Sequence, residues 1–157
     1  MSSKQRGSPE EALNRALRFL GYRPRSEAEV RDKLSHLGFS QPVVETTLER
    51  LRHLKILNDE IFARDWTRGR VEERGYGPLR IERELRQKGI DKALIAEVVR
   101  ETFGQESGRE RAKKLLERRF KDKDLSDTKT QRRAIAFLQR RGYRDSVIAE
   151  VLRMPEG

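Results

Sequence analysis

The sequence predicts an all-α protein made of three tandem three-helix units that form an elongated, curved body. Apolar residues recur at helical spacing along the chain, and no segment alternates with the period of two that is typical of strands. A leucine-to-glycine turn signal occurs three times, and its glycines Gly38, Gly89 and Gly142 lie 51 and 53 residues apart. Self-similarity at a period near 50 residues indicates tandem structural units.

The repeat extends well beyond the glycine of each turn. A leucine stands four residues before each glycine, and large apolar residues stand one, six and ten residues after it. These columns contain Leu34, Leu85 and Leu138; Phe39, Ile90 and Tyr143; Val44, Ile95 and Ile148; and Leu48, Val99 and Leu152. Glycine favours the left-handed position just past a helix end, so each signal predicts a helix, a tight turn and a second helix. A unit of about 50 residues buries only about 60% of its surface, so neighbouring units should pack in a row.

The first unit is predicted over residues 9–56, after a flexible lead-in at residues 1–8. Ser8 should cap its first helix, and Ser26 with Glu29 should form a capping box at its second. The third helix should run over residues 41–54. The side chains expected to face the core are Leu13, Leu17, Leu20, Val44, Leu48 and Leu51.

The second and third units are predicted over residues 57–104 and 105–157. Asn58 or Asp59 should cap the second unit's first helix, and the third unit should begin with a long helix over residues 108–123. In the second unit, the inward residues should be Ile61, Phe62, Trp66, Ile81 and Leu85. We expect Gly89 to be a structural residue whose replacement lowers stability.

The charge distribution points to a polyanionic partner. The 157-residue chain has a net charge of +10. Residues 58–104 are neutral overall, whereas residues 105–157 contain 15 basic and 9 acidic side chains. A basic excess at one end favours binding to nucleic acid or to an acidic protein groove, although a solvated, arginine-rich helical surface would have the same composition.

Arginine and lysine side chains are the candidate partner-binding residues. The third unit's long helix should present an outward stripe of Arg111, Lys114, Arg118 and Lys121. This stripe follows if the inward residues are Ala112, Leu115, Leu116 and Phe120. The second unit has a smaller set in Arg64, Arg68, Arg70 and Arg74, and the third unit adds Arg132, Arg133 and Arg140. The alternative is that these are solvated side chains paired with nearby glutamates.

Residues with catalytic potential are scarce. The chain has two histidines, no cysteine and no phosphate-binding or nucleophile-elbow motif. We therefore expect no catalytic residue, no metal and no cofactor. Sequence-specific DNA readout is also a poor fit, because the third helices begin "SQPVVETT", "DKALIAEV" and "RDSVIAEV", which are mostly apolar or acidic. No apolar run is long enough to span a bilayer, so we expect a cytoplasmic protein. We also expect it to be a monomer.

The segment "LKILNDEIFARDWTRGRVEERGYGPLRIERELRQKGID" resembles the central signature of the RecX family of bacterial regulatory proteins. The matching residues are Asp59, Glu60, Phe62, Ala63, Arg70, Gly77, Ile81, Glu84, Leu85, Lys88, Gly89 and Ile90. "RPRSEAEVRDKLSHLGF" resembles the family's first-unit signature at Arg25, Ser26, Glu29, Leu34 and Gly38. The third unit is a looser match.

This resemblance implies three tandem three-helix units and a modulator of the recombinase RecA. Such proteins lie along the groove of the RecA–single-stranded-DNA filament, and they usually inhibit its ATPase, strand exchange and coprotease activities without catalysis. Two alternatives stay open on the residues alone. One is a non-specific nucleic-acid-binding helical protein that does not depend on RecA, and the other is an enzyme acting on nucleic acid.

Overall fold

The structure is a computed structural model that describes residues 7–104 and 108–153. Within these ranges the chain forms nine α-helices and no strand. The helices are α1 Pro9–Tyr22, α2 Glu27–His36, α3 Gln41–His53, α4 Asp59–Arg74, α5 Pro78–Gln87, α6 Lys92–Phe103, α7 Arg109–Arg119, α8 Thr128–Arg141 and α9 Asp145–Val151. The all-α prediction with tandem three-helix units is confirmed. In the part of the chain that is described, no helix is both long and apolar enough to cross a membrane.

Each consecutive set of three helices encloses its own hydrophobic core. Contacts join α1, α2 and α3 pairwise, and the same holds for α4 to α6 and for α7 to α9. The three cores are centred on Leu34, Leu85 and Leu138, the leucines of the repeated turn, which are all fully buried. Leu57 packs into the first core, one residue past the division that the sequence predicts.

The repeated glycine closes the same helix-terminating turn in all three units. Its φ angle is +91° at Gly38, +75° at Gly89 and +98° at Gly142. In each turn the residue after the glycine donates its N–H to the carbonyl of a leucine at 3.0–3.2 Å, and this leucine stands four residues before the glycine. This hydrogen bond defines the Schellman motif, and the apolar residue that donates it is buried beside the leucine.

Local capping signals set the predicted helix starts. The Ser8 hydroxyl accepts the Glu11 N–H, and Asn58 rather than Asp59 is the cap of α4. Ser26 and Glu29 form the predicted capping box. The predicted lead-in lies largely outside the described residues, since residues 1–6 are not described.

Two expected core positions were wrong. Leu17 is 38% exposed and Ile61 is 59% exposed. In α1 the fully buried side chains are Ala12 and Ala16. These small residues let α1 approach α3 closely, so the helix is rotated away from the face that its leucines suggest. Ile61 lies on the side of α4 that faces an open groove.

The first junction docks the turn at the end of α5 onto the start of α2. The Ser26 hydroxyl donates to the Lys88 carbonyl at 2.6 Å while it accepts the cap bond from Glu29 N–H. The Lys88 ammonium lies 3.6 Å from the Glu29 carboxylate. A Cβ at Gly89 would lie 2.4 Å from the Ala28 Cβ, so the turn touches α2 directly.

The second junction repeats this arrangement one unit further along. The turn that ends α8 meets the start of α5, where Gly77 N–H donates to the Arg141 carbonyl at 2.6 Å and Leu79 N–H donates to the Gly142 carbonyl at 2.9 Å. α5 has no side-chain cap of its own, so carbonyls of the next unit satisfy its free amides. Burial raises the pKa of Tyr143 to about 12, and its hydroxyl donates to the Gly75 carbonyl at 3.4 Å.

Glu29 connects the capping box to the first junction and should make stability depend on pH. Burial raises the pKa of Glu29, but hydrogen bonds from Arg23 and the Ser26 N–H, with the Lys88 charge, lower it below its ordinary value of 4.5 overall. Because the folded pKa is depressed, this stabilisation is present above pH 4.5 and is lost as the pH falls through the folded pKa.

Replacing Glu29 with Gln should therefore remove an acid-sensitive part of the stability. Glutamine still accepts the Ser26 N–H, so the capping box is retained. We expect a loss of about 1.5–3 kcal/mol at pH 7 and convergence of wild type and variant as the pH falls below 4.5. Urea unfolding across this pH range measures it. A gap between the two proteins that does not change with pH would contradict the assignment.

Candidate partner-binding surface

A basic cleft lies between the second and third units, and we call it the arginine cleft. It has a volume of about 770 Å³ and is walled by the end of α4, by α7 and by the end of α8. Its lining residues are Glu72, Glu73, Arg74, Gly75, Tyr76, Leu115, Arg118, Arg119, Phe137, Arg140 and Arg141. Five arginines face two glutamates, so the cleft suits an anionic partner.

The floor of the arginine cleft is aromatic. Tyr76 and Phe137 are 5% and 8% exposed, and both belong to hydrophobic cores. The Arg141 guanidinium lies 4.9 Å from the centre of the Phe137 ring, and that of Arg119 lies 5.9 Å away. Such cation–π contacts hold guanidinium groups in place and preorganise them for a partner.

A second, smaller cleft brings together other predicted residues. It has a volume of about 250 Å³, and Arg64, Arg68 and Arg111 line it together with Glu72 and Glu101. The positive charge of this second cleft is largely neutralised by glutamates of the second unit. Arg64 lies 3.1 Å from Glu101 and 3.3 Å from Glu97, and its hydrogen bond lowers the pKa of Glu101.

The predicted arginines therefore divide into different environments. Arg74, Arg118 and Arg140 meet in the arginine cleft, although they come from three helices and two units. All three are exposed, and none lies within 4.0 Å of a carboxylate in the described ranges. Arg132 and Arg133 are exposed on α8 but do not line either cleft.

Arg70 is engaged inside the second unit instead. Its guanidinium lies 4.0 Å from the centre of the Trp66 ring, and its Nε lies 3.8 Å from the Glu84 carboxylate. The Trp66 Nε1–H donates to the same carboxylate at 3.0 Å, while its ring stacks on Phe62 at 5.9 Å. Trp66 is thus half-buried against the second core, and Arg70 covers it.

The continuous stripe predicted on the third unit's first helix is wrong at its end. α7 stops at Arg119, and Phe120 turns out of helical geometry with φ −117° and ψ 33°. Arg111, Lys114 and Arg118 are exposed on the helix, but Lys121 follows it and does not continue the same face. Phe120 itself packs edge-on against Phe137 at 6.0 Å, on the core side of the unit.

Arg119 and Arg141 line the cleft but are absent from the predicted set. Arg141 stands four residues after Phe137 on α8, so the spacing of an aromatic and an arginine on one helical face was a usable signal. Arg119 had no comparable signal, because its aromatic partner belongs to another helix.

The residues of the described ranges show no group of three or more histidine, cysteine, aspartate or glutamate side chains placed to hold a metal ion.

The fold and its surface define a tandem three-helix repeat protein with a basic cleft between units. Family models of RecX match the chain in chain order. The first three-helix domain matches residues 12–51, the second 58–99 and the third 106–152.

Curated relatives agree with the family models. "Regulatory protein RecX" of Bacillus subtilis (strain 168) is 39% identical over 140 residues, which cover 89% of this chain and 53% of the relative. The protein of the same name from Mycobacterium sp. (strain JLS) is 35% identical over 148 residues, which cover 91% of this chain and 80% of the relative. The chain thus spans about half of the first relative's length and four fifths of the second's.

Solved structures give the same answer. A crystal structure of regulatory protein RecX superposes with a TM-score of 0.73 at 28% identity, over 92% of this chain and 71% of that one. RecX from Lactobacillus salivarius superposes with a TM-score of 0.76 at 25% identity, over 92% and 94% of the two chains. This chain belongs to the RecX family of regulatory proteins. The division into units at residues 56/57 and 104/105 stays our prediction.

Proposed function

We propose that this chain binds the RecA–single-stranded-DNA filament and inhibits its ATPase, strand exchange and coprotease activities. Membership of the RecX family across all three units carries the proposal. The relatives are named regulatory proteins, which supports action by binding rather than by catalysis. We also propose that the chain acts as a monomer in the cytoplasm, where a bacterial recombinase filament forms.

The charge and the repeat support a filament as the partner. A nucleoprotein filament is long and anionic, and a row of units can follow a long partner over several contact points. The arginine cleft supplies exposed cations where two units meet. Contacts at such a wet interface are individually modest, so affinity should come from their number and should fall with added salt.

The second candidate is a nucleic-acid-binding protein that does not need RecA. The exposed arginines of the cleft favour it, since a positively charged groove also binds the backbone of single-stranded nucleic acid. This candidate predicts tight binding to naked DNA with a steep salt dependence.

The test of the proposed function is the RecA ATPase on single-stranded DNA. We expect this chain to lower the rate when it is present in fewer copies than RecA, because one bound molecule affects neighbouring subunits of a filament. Adding the chain before filament assembly tests whether it blocks filament growth. Adding it after assembly tests whether it acts on the formed filament. An ATPase rate that falls only when the chain is in excess over the DNA would instead support simple competition for DNA.

A further inference from the structure

A separate groove opens in the first half of the molecule, away from the arginine cleft. It lies between the end of α1, the turn from α3 to α4 and the first turns of α4, and its volume is about 580 Å³. The apolar side chains that line this apolar groove are Leu20, Tyr22, Pro24, Ile56, Ile61 and Phe62.

Three of these side chains are unusually exposed for their type. Tyr22 is 79% exposed, Ile61 is 59% exposed and Ile56 is 46% exposed. The second unit has the same Gly-Tyr-x-Pro sequence, yet its tyrosine, Tyr76, is 5% exposed beneath the guanidinium of Arg80 at 3.9 Å. A contiguous apolar surface of this kind, next to polar residues, is typical of an interaction site.

The rim of the apolar groove is basic. Arg23, Arg25 and Lys55 line it, and the single acidic lining residue, Asp65, is paired with Arg68 at 3.3 Å. The ends of α1 and α3 also meet here, and each helix end contributes roughly half a negative charge. Arg23 and Arg25 also lie 2.5 Å and 3.9 Å from the Glu29 carboxylate, so the charge of Glu29 must be subtracted as well. The three cations still exceed Glu29 and the two partial charges together, so the groove presents aliphatic surface with a net positive edge.

We propose that the apolar groove binds an acidic peptide segment of a partner protein that presents aliphatic side chains on one face. The aliphatic side chains occupy the space beside Tyr22, Ile56 and Ile61, and the carboxylates lie near Lys55 and Arg23. This fits the general mode in which an amphipathic segment places its apolar face in a groove and its charges on the rim. The apolar groove lies between the first unit and the start of α4 in the second unit, and the proposal does not require the arginine cleft.

The probe is a fluorescent peptide of about 12 residues that has leucines at helical spacing on one face and glutamates at the other positions. Two matched peptides replace every glutamate with lysine or every leucine with serine. We expect the acidic leucine peptide to bind at least about tenfold more tightly than either one, since both parts of the interface are needed. Fluorescence anisotropy against the full chain measures the affinity.

Variants of exposed residues locate the binding without threatening the fold. Tyr22→Ser with Ile61→Ser should weaken binding of the acidic leucine peptide by about tenfold or more, because it removes two exposed contact side chains. Leu79→Ser is the control, since Leu79 is 38% exposed but outside the groove.

Three outcomes would overturn the proposal. One is equal affinity for the acidic and basic leucine peptides, and another is unchanged binding in the double variant. The third is self-association of the wild-type chain in sedimentation that the double variant abolishes, because the groove would then be an interface between two copies.

Discussion

Replacing Arg74, Arg118 and Arg140 together with glutamine is expected to weaken inhibition of the RecA ATPase by about tenfold or more at moderate salt. Each exposed ionic contact is worth up to about 1 kcal/mol, and about 1.4 kcal/mol is a factor of ten in affinity. Three such contacts in one cleft total up to about 3 kcal/mol, and about half of that total is already one order of magnitude in affinity. Inhibition curves for wild type and variant at several salt concentrations measure the effect, which should shrink as salt rises.

A matched control separates this effect from helix stability. Arg74, Arg118 and Arg140 all lie in the last turns of their helices, where a cation is favoured whatever its function. Arg50, Arg86 and Arg100 are exposed in the last turns of α3, α5 and α6 and line none of the clefts described above. Their triple replacement with glutamine changes net charge by the same amount. Equal loss of inhibition in both triple variants would show that the arginine cleft has no special role.

Replacing Gly89 with alanine is expected to cost more stability than replacing Gly38, although both glycines close the same turn. At Gly38 a Cβ would meet no atom within 4 Å, so the cost is the left-handed backbone alone, about 1–2 kcal/mol. At Gly89 the Cβ would also collide with Ala28 across the junction. Overpacking of this kind costs a further 1–3 kcal/mol or so. Urea unfolding of the two variants measures the difference.

Ala28→Gly tests whether the collision is the cause. This change alone should cost roughly 0.5–1 kcal/mol, because glycine is unfavourable in a helix. In the Gly89→Ala background it removes the opposing Cβ, so it should cost less than that or increase stability. A coupling free energy of about 0.5–3 kcal/mol between the two sites is expected. Strictly additive changes would contradict direct contact between the turn and α2.

The sequence predicted features that depend on a few neighbouring residues. Ser26, Glu29 and the three turn glycines specify helix ends through bonds that span only a few positions, so they could be recognised before any packing was known. The buried leucines followed from helical periodicity for the same reason. The core position expected for Leu17 was wrong, because the rotation of α1 depends on how closely Ala12 and Ala16 approach α3.

The candidate surface was harder to predict because it is made between units. Spacing along one helix placed Arg118 with Lys121, whereas the structure places Arg118 with Arg74 and Arg140. The second role of Gly89, as the point of contact with Ala28, also depends on the neighbouring unit. A repeat in the sequence shows that units exist, but the residues that join them are defined only by their packing.

The most direct measurement of the central claim compares binding of the wild-type chain to preformed RecA–single-stranded-DNA filaments and to the same DNA without RecA. Co-sedimentation across a range of salt concentrations provides both affinities under identical conditions. The account predicts saturable binding to filaments at salt concentrations where binding to naked DNA is lost. Equal affinity for the two, with the same steep salt dependence, would contradict it and favour the RecA-independent nucleic-acid binder.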